Sequence, residues 1–206
     1  LSDIHIASKF IKIAGMGESM VEDKLISLID KQTNPTFATY AKDGIITLRV
    51  TASEPKNTAG FEDEVDRMLQ KAVSEVKAIL GSHVFSTEDE SLEEVVYKLF
   101  SSRKMTFALA ESCTGGLLTS MLTEIPGISK VLDRAVVSYS NRAKIEELGV
   151  RQSTLENFGA VSKETAVEMA EGIRRVSGTD IGVAVTGIAG PDGGTEEKPV
   201  GLVYVA

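Results

Sequence analysis

The sequence predicts an α/β protein: a layered sheet with helices on both faces, preceded by a small α+β domain. Three observations carry this. The chain has 206 residues, 42% hydrophobic and 25% charged, which is the composition of a folded globular protein with room for one domain or two small ones. Beyond residue 91, short β-branched runs alternate with stretches of helical period, the pattern of a largely parallel, buried sheet. Before residue 86 the order is instead β-α-β-β-α.

The first domain is expected over residues 1–85. KFIKIAG reads as a strand, and MVEDKLISLIDK as a helix with Val21, Leu25, Leu28 and Ile29 on one side. TFATYAK and GIITLRVTA are strands joined through Asp43-Gly44, a dipeptide suited to the left-handed angles of a tight hairpin, so they should pair antiparallel. Phe61, Val65, Leu69, Val73, Val76, Ile79 and Leu80 form one helical stripe that Gly81 stops. Residues 86–90 begin an acidic stretch, STEDESLEE, with five carboxylates, and are expected as a linker. Ser91 and Glu94 have capping-box spacing for the helix that follows.

The second domain is expected over residues 91–206. Its strands are MTFALA, RAVVSY, IGVAVTG and VGLVYVA, with helices over about 115–123, 143–148 and 162–177 between them and a Gly-rich loop before the last strand. The chain stops inside an apolar strand, so a final element is expected to be missing. A start without Met suggests a processed chain or an excerpt.

Composition narrows function. With 22 Lys and Arg against 30 Asp and Glu, the net charge of −8 disfavours nucleic acid and membrane surfaces as partners. One cysteine, Cys113, and two histidines, His5 and His83, are too few for a usual zinc cage, so no metal is expected, and no cofactor. Lacking a signal-peptide layout and any spanning apolar run, the chain reads as cytoplasmic.

Ligands of open α/β sheets gather beyond the carboxyl ends of the strands. Three segments fit. In ALAESCTGG a strand turns into a helix through Ser112, Cys113 and Thr114, where a nucleophile would have N–H donors nearby; plain N-capping beside a solvated Glu111 explains the residues about as well. In VVSYSNRAK, Tyr139 and Lys144 would approach one another if a helix starts after Asn141; a half-buried strand aromatic and a solvated lysine is the blander alternative. TGIAGPDGG allows close backbone approach to a phosphate or carboxylate, or is a surface turn. From Ser91 onward there is no imidazole, which excludes a Ser-His-Asp or Cys-His site within that domain. A serine there needs another base, for which lysine with tyrosine suffices, and Cys113 is the rival nucleophile.

AESCTGG, the Pro-Gly of LTEIPGIS, VVSYSNRAK, LGV, GAVS, TGIAGPDGG and KPVG, in that order, resemble the C-terminal domain of the CinA (competence/damage-inducible) family, a nicotinamide-nucleotide amidase. Residues 1–85, with GMGES and NPTFATYAKDG, resemble the small middle domain that precedes it. The resemblance implies hydrolysis of the carboxamide of nicotinamide mononucleotide to nicotinate mononucleotide and ammonia. It places the nucleophile on Ser112 and the proton-transfer pair on Tyr139 and Lys144. Amides at the helix start, Thr114, Gly115 and Gly116, are expected to hold the oxyanion. Substrate contacts are expected from Glu111, Cys113, Asn141 and Arg142, from the loop glycines Gly187, Gly190 and Gly193, and from Lys198, with Arg142 or Lys198 on the phosphate.

The family's usual assembly implies a homodimer. It also implies a further strand and helix beyond residue 206, so the domain is expected to be C-terminally truncated; the molybdopterin-binding-like domain of long members, with its pyrophosphatase activity, is not in this sequence. Two other readings stand beside the amidase: a non-catalytic nucleotide-binding or regulatory module, and an RNA-binding first domain. The second is disfavoured by 10 basic against 12 acidic residues without a cluster.

Overall fold

The computed structural model describes residues 3–206 and divides into two compact units, with the boundary between Val95 and Val96. The first unit runs β1 (Ile4–Ala14), α1 (Glu18–Ile29), β2 (Thr36–Lys42), β3 (Ile45–Pro55), α2 (Phe61–Leu80), one 3₁₀ turn and β4 (Val84–Ser86). All pairings in its sheet are antiparallel, in the order β2-β3-β1-β4.

Asp43 and Gly44 both take positive φ, 50° and 78°, which matches the twist of the β2–β3 hairpin as the dipeptide predicts. Ile11, Ile13, Leu48 and Val50 pack with Leu25, Val65, Leu69 and Val76 in one hydrophobic core. Ile79 departs from the expected stripe of α2 and faces out. β1 starts at Ile4, five residues before the KFIKIAG run, because β3 extends to Pro55 and supplies it with a partner along its whole length.

The strand β4 was not predicted. Ser86, expected as linker, is its last residue and is buried; its hydroxyl donates to Glu90 (2.5 Å) and accepts from the Glu88 amide (3.1 Å). The capping box forms as spaced: Ser91 N–H donates to Glu94 (2.7 Å), and Glu94 N–H to Ser91 Oγ (3.1 Å).

After the boundary helix α3 (Leu92–Arg103) come β5 (Phe107–Glu111), α4 (Leu117–Thr123), a 3₁₀ turn, β6 (Leu132–Val137), α5 (Asn141–Leu148), α6 (Gln152–Phe158), α7 (Lys163–Ser177), β7 (Ile181–Gly187) and β8 (Val203–Val205). The sheet order is β6-β5-β7-β8, with β5 parallel to both neighbours and β8 antiparallel to β7. Every residue of β5 is buried, as a central strand covered on both faces requires. Ala108 and Ala110 face Leu148, Met169 and Ile173, while Phe107 and Leu109 face Leu122, Ile128 and Val131 on the other side. This is the predicted α/β layer with helices on both faces.

Two glycines permit its close packing. A Cβ on Gly172 of α7 would lie 2.1 Å from the Leu148 carbonyl oxygen at the end of α5, and one on Gly182 of β7 would lie 2.1 Å from the Ala170 oxygen. Neither position tolerates a side chain without backbone displacement.

Candidate functional site

Glu111 of β5 pairs in register with Val137 of β6 and Val185 of β7, so three strands end together. The next residues are tied to one another by the ladder's continuation. Ser112 N–H donates to Val185 O (3.0 Å), and Ser138 N–H to Glu111 O (2.9 Å).

Ser140 caps α5, its hydroxyl accepting from Ala143 N–H at 3.1 Å. That start places Lys144 in the first turn, and because helical side chains lean toward the N-terminus, its chain reaches back over the end of β6. Lys144 is only 1% exposed. Its Nζ lies 2.9 Å from Ser112 Oγ, 2.7 Å from Ser138 O and 3.4 Å from Tyr139 O.

No carboxylate touches this nitrogen among the described residues. Burial holds its pKa below the ordinary lysine range, opposed in part by the nearby Cys113 sulfur. Burial therefore makes this nitrogen easier to deprotonate than a solvated lysine. Nζ donates to all three oxygens.

Ser112, Cys113, Tyr139 and Lys144 line a cavity of about 310 Å³. Its other walls are Ala160 and Val161 from the α6–α7 connection, Thr186 and Gly187 at the end of β7, and the loop that includes Ile188, Gly190, Asp192 and Gly193. Lys144 is the only cationic residue on these walls. A hollow of about 350 Å³ in the first unit is slightly larger, but Lys31, Asn34, Lys71 and Glu75 on its rim pair no nucleophile with a base. Chemistry, not size, selects the second-unit cavity.

The structure distributes the sequence-predicted residues unevenly. Ser112, Cys113, Tyr139, Lys144, Gly187, Gly190 and Gly193 meet at the cavity. Tyr139 does so with a side chain 74% exposed, and it is its main-chain oxygen that meets Lys144. Asn141 is the exposed first residue of α5, and Arg142 points to solvent at 3.9 Å from Glu146; neither lines the cavity.

Lys198 stands outside the lining as well. Its ammonium donates to Phe158 O (2.7 Å) and Val161 O (2.8 Å), tying the Gly-rich loop to the α6–α7 connection.

Glu111 is the largest correction. Expected as a substrate contact, or in the blander alternative as a solvated neighbour, it is 0% exposed and not among the residues that line the cavity. Its carboxylate accepts the amides of Gly116 (3.1 Å), Leu118 (3.1 Å) and Thr119 (2.8 Å), and the Thr119 hydroxyl. Burial alone would raise its pKa, but the Thr114 and Thr119 hydroxyls and the amides outweigh that and hold it below the usual carboxylate range. Thr114 Oγ1 lies close enough to act on the carboxylate yet is buried without a well-formed hydrogen bond.

Gly116 is thereby occupied, and Gly115 N–H donates to Ser112 O (3.1 Å). Two of the three amides expected at the oxyanion are already used. The sequence reading also missed Ser138, whose carbonyl is the shortest partner of Lys144; its place just before Tyr139 at a strand end was the available signal.

No group of three or more His, Cys, Asp or Glu among the described residues is arranged to hold a metal, and no described helix is long and apolar enough to cross a membrane.

An α/β unit with a buried serine–lysine pair at the carboxyl edge of its sheet defines the class. The comparisons give the family. The CinA C-terminal domain model matches residues 89–206, and the damage-inducible protein CinA KH domain model matches residues 8–86. The chain belongs to the CinA family.

It is 53% identical over 205 residues to a competence-damage inducible protein of Acetivibrio thermocellus, covering 100% of this chain and 48% of that protein. It is 47% identical to a CinA-like protein of Dictyoglomus thermophilum, over 97% of this chain and 47% of the relative. The chain thus spans about half the length of the curated relatives it matches. Among solved structures, competence/damage inducible protein CihA of Agrobacterium tumefaciens is 51% identical with a TM-score of 0.54, covering 55% of this chain and 69% of that one. A CinA superfamily protein of Escherichia coli is 34% identical at a TM-score of 0.54, with 55% and 66% covered.

Proposed function

We propose that the second unit hydrolyses the carboxamide of nicotinamide mononucleotide to nicotinate mononucleotide and ammonia. The observation that carries this reading is the Lys144 amine 2.9 Å from Ser112 Oγ, buried and without a carboxylate partner, at the wall of a cavity of about 310 Å³. That volume is at the lower end of the range for small-molecule sites, about 300–1,000 Å³.

Lys144 takes the Ser112 proton as Oγ bonds to the amide carbon and the C=O pair moves onto oxygen. The tetrahedral species collapses: the C–N bond breaks, Lys144 returns its proton to the departing nitrogen, and ammonia leaves an acyl-serine. Water then adds to the acyl carbon, giving its proton to Lys144; as the C–Oγ bond breaks, Lys144 returns that proton to Oγ, releasing the acid and restoring both Ser112 and the amine. Tyr139, the second proton-transfer group that the resemblance implies, borders the cavity, and the base is taken as Lys144 because its side chain meets Ser112. With Arg142 and Lys198 elsewhere, the phosphate is left to the backbone of loop 188–193.

The reading places the enzyme in the cytoplasm, as a homodimer. Ammonia release from the mononucleotide by the chain and by Ser112→Ala tests it. Loss of at least about 10³-fold is expected, and equal rates would remove Ser112 as nucleophile. Nucleotide binding by the unaltered chain without ammonia release would select the non-catalytic binding module instead.

A further inference from the structure

We infer, building on the amidase reading, that Glu111 is a positioning residue: its carboxylate closes the head of α4 and fixes the preceding turn so that the oxyanion falls to the N–H groups of Cys113 and Thr114.

The inference is an accounting of donors. Between Ser112 and Thr119 the chain offers eight backbone N–H groups. Ser112 gives its own to Val185 O, Gly115 to Ser112 O and Leu117 to Thr114 O. Gly116, Leu118 and Thr119 give theirs to the Glu111 carboxylate. Only Cys113 and Thr114 are left without a partner among the described residues, and they directly follow the nucleophile.

An anion at the start of α4 would have to displace a buried, ionised carboxylate that already satisfies those amides. Displacing it would leave a buried charge without its donors, a cost that an oxyanion bound to amides still free does not incur. The helix start is therefore closed, and the free donors lie in the turn that also carries Ser112 Oγ.

Glu111 acts at a distance through that turn. It anchors α4 on one side, while its own main-chain oxygen accepts Ser138 N–H on the other. It thus ties the turn holding the nucleophile to the residue whose carbonyl holds Lys144. Glutamine at 111 keeps the shape but places an NH₂ donor against backbone donors, and the turn must shift to relieve that. A shift of about 1 Å in a reacting group costs on the order of 10²-fold in rate.

Two measurements test this. In Glu111→Gln, kcat with nicotinamide mononucleotide should fall 10- to 100-fold, an order-of-magnitude expectation, with KM unchanged within about threefold. Glu111→Gln at wild-type kcat, or a loss carried wholly in KM, would overturn the positioning role.

The second uses the unaltered chain and needs no variant to fold. 3-Pyridineboronic acid should bond through boron to Ser112 Oγ, the hydroxyl proton passing to Lys144, and give a tetrahedral boronate detectable by boron NMR. On adduct formation, the ¹H–¹⁵N signals of Cys113 and Thr114 should move most and those of Gly115 and Gly116 least. An adduct that moves Gly115 or Gly116 most would sink the assignment while leaving Ser112 as nucleophile. A chain that neither forms the adduct nor releases ammonia would overturn the amidase reading itself, and this assignment with it.

Discussion

Ser112 and Lys144 are 32 positions apart in the chain, yet Nζ and Oγ meet at 2.9 Å because β5 and β6 end side by side and α5 turns back over them. The lysine has three oxygen neighbours and no counter-ion among the described residues. Burial makes such a nitrogen easier to deprotonate than a solvated lysine, as its proposed role of base requires.

Activity should therefore follow the deprotonation of Lys144. Burial lowers its pKa, so kcat/KM should rise with pH to a plateau whose midpoint lies below the ordinary lysine value of about 10.4. The sign is fixed by the charge type, since a depressed amine gains its working form as pH increases. Lys144→Met should cost at least about 10³-fold in kcat and remove that limb. Tyr139→Phe, with an exposed ring and no hydrogen bond from its phenol among the described contacts, should cost less than about tenfold. A pH–rate series on the three proteins checks all of this; a larger loss in Tyr139→Phe than in Lys144→Met would reverse the roles.

Lys198 serves as a strut between two cavity walls, the Gly-rich loop and the α6–α7 connection. Replacing it by Met leaves the Phe158 and Val161 carbonyls without their donor. KM for the nucleotide should rise about 3- to 30-fold as the loop loosens, with kcat reduced less. Were Lys198 instead the phosphate ligand, the same variant would discriminate sharply between the nucleotide and its phosphate-free nucleoside. Comparing the two substrates separates the outcomes, and equal losses are expected.

A second, partly buried carboxylate offers a test of stability alone. Glu168 accepts Arg151 N–H (2.9 Å), the Arg151 guanidinium and the Thr154 hydroxyl (2.8 Å). Burial raises its pKa, but these donors outweigh burial and hold it below the usual range. Its contribution is present above the unfolded-state value of about 4.3 and lost as pH falls through the lower folded value. Glu168→Gln should destabilise the chain by about 1–2 kcal/mol at pH 7, discounted because Arg151 is largely exposed, and the difference from wild type should shrink below about pH 4. Urea unfolding at several pH values reads this directly; a difference that grows on acidification would contradict it.

Much of the architecture was legible because its signals are local. The Asp43-Gly44 hairpin and the Ser91–Glu94 box each sit within a few residues and formed as spaced, and the α2 stripe, carried within one helix, formed apart from Ile79. α6 was not legible: seven residues with Leu155 and Phe158 as their large apolar members, and no side-chain cap, give no periodic signal. Nor was β4, three residues long, whose reason to exist is the free edge of β1.

The site divides along the same line. The Ser140 cap could be read from SNRA, and with it the start of α5. The burial of Lys144 could not, because α5 is polar and its lysine is covered by segments distant in sequence. Glu111 could be taken for a substrate contact or a solvated acid because the three amides that bind it lie five to eight residues further along the chain.

Gly172 never borders the cavity, yet the absence of a methyl group there lets α7 lie against the last carbonyl of the helix that bears Lys144, an oxygen that Arg175 also grips at 2.8 Å. The helix that carries Lys144 is thus seated by its neighbour on the same face of the sheet, through a contact with no chemistry of its own. A side chain at that remote glycine would displace the end of this helix, so one cavity wall can be altered by a residue that never touches it.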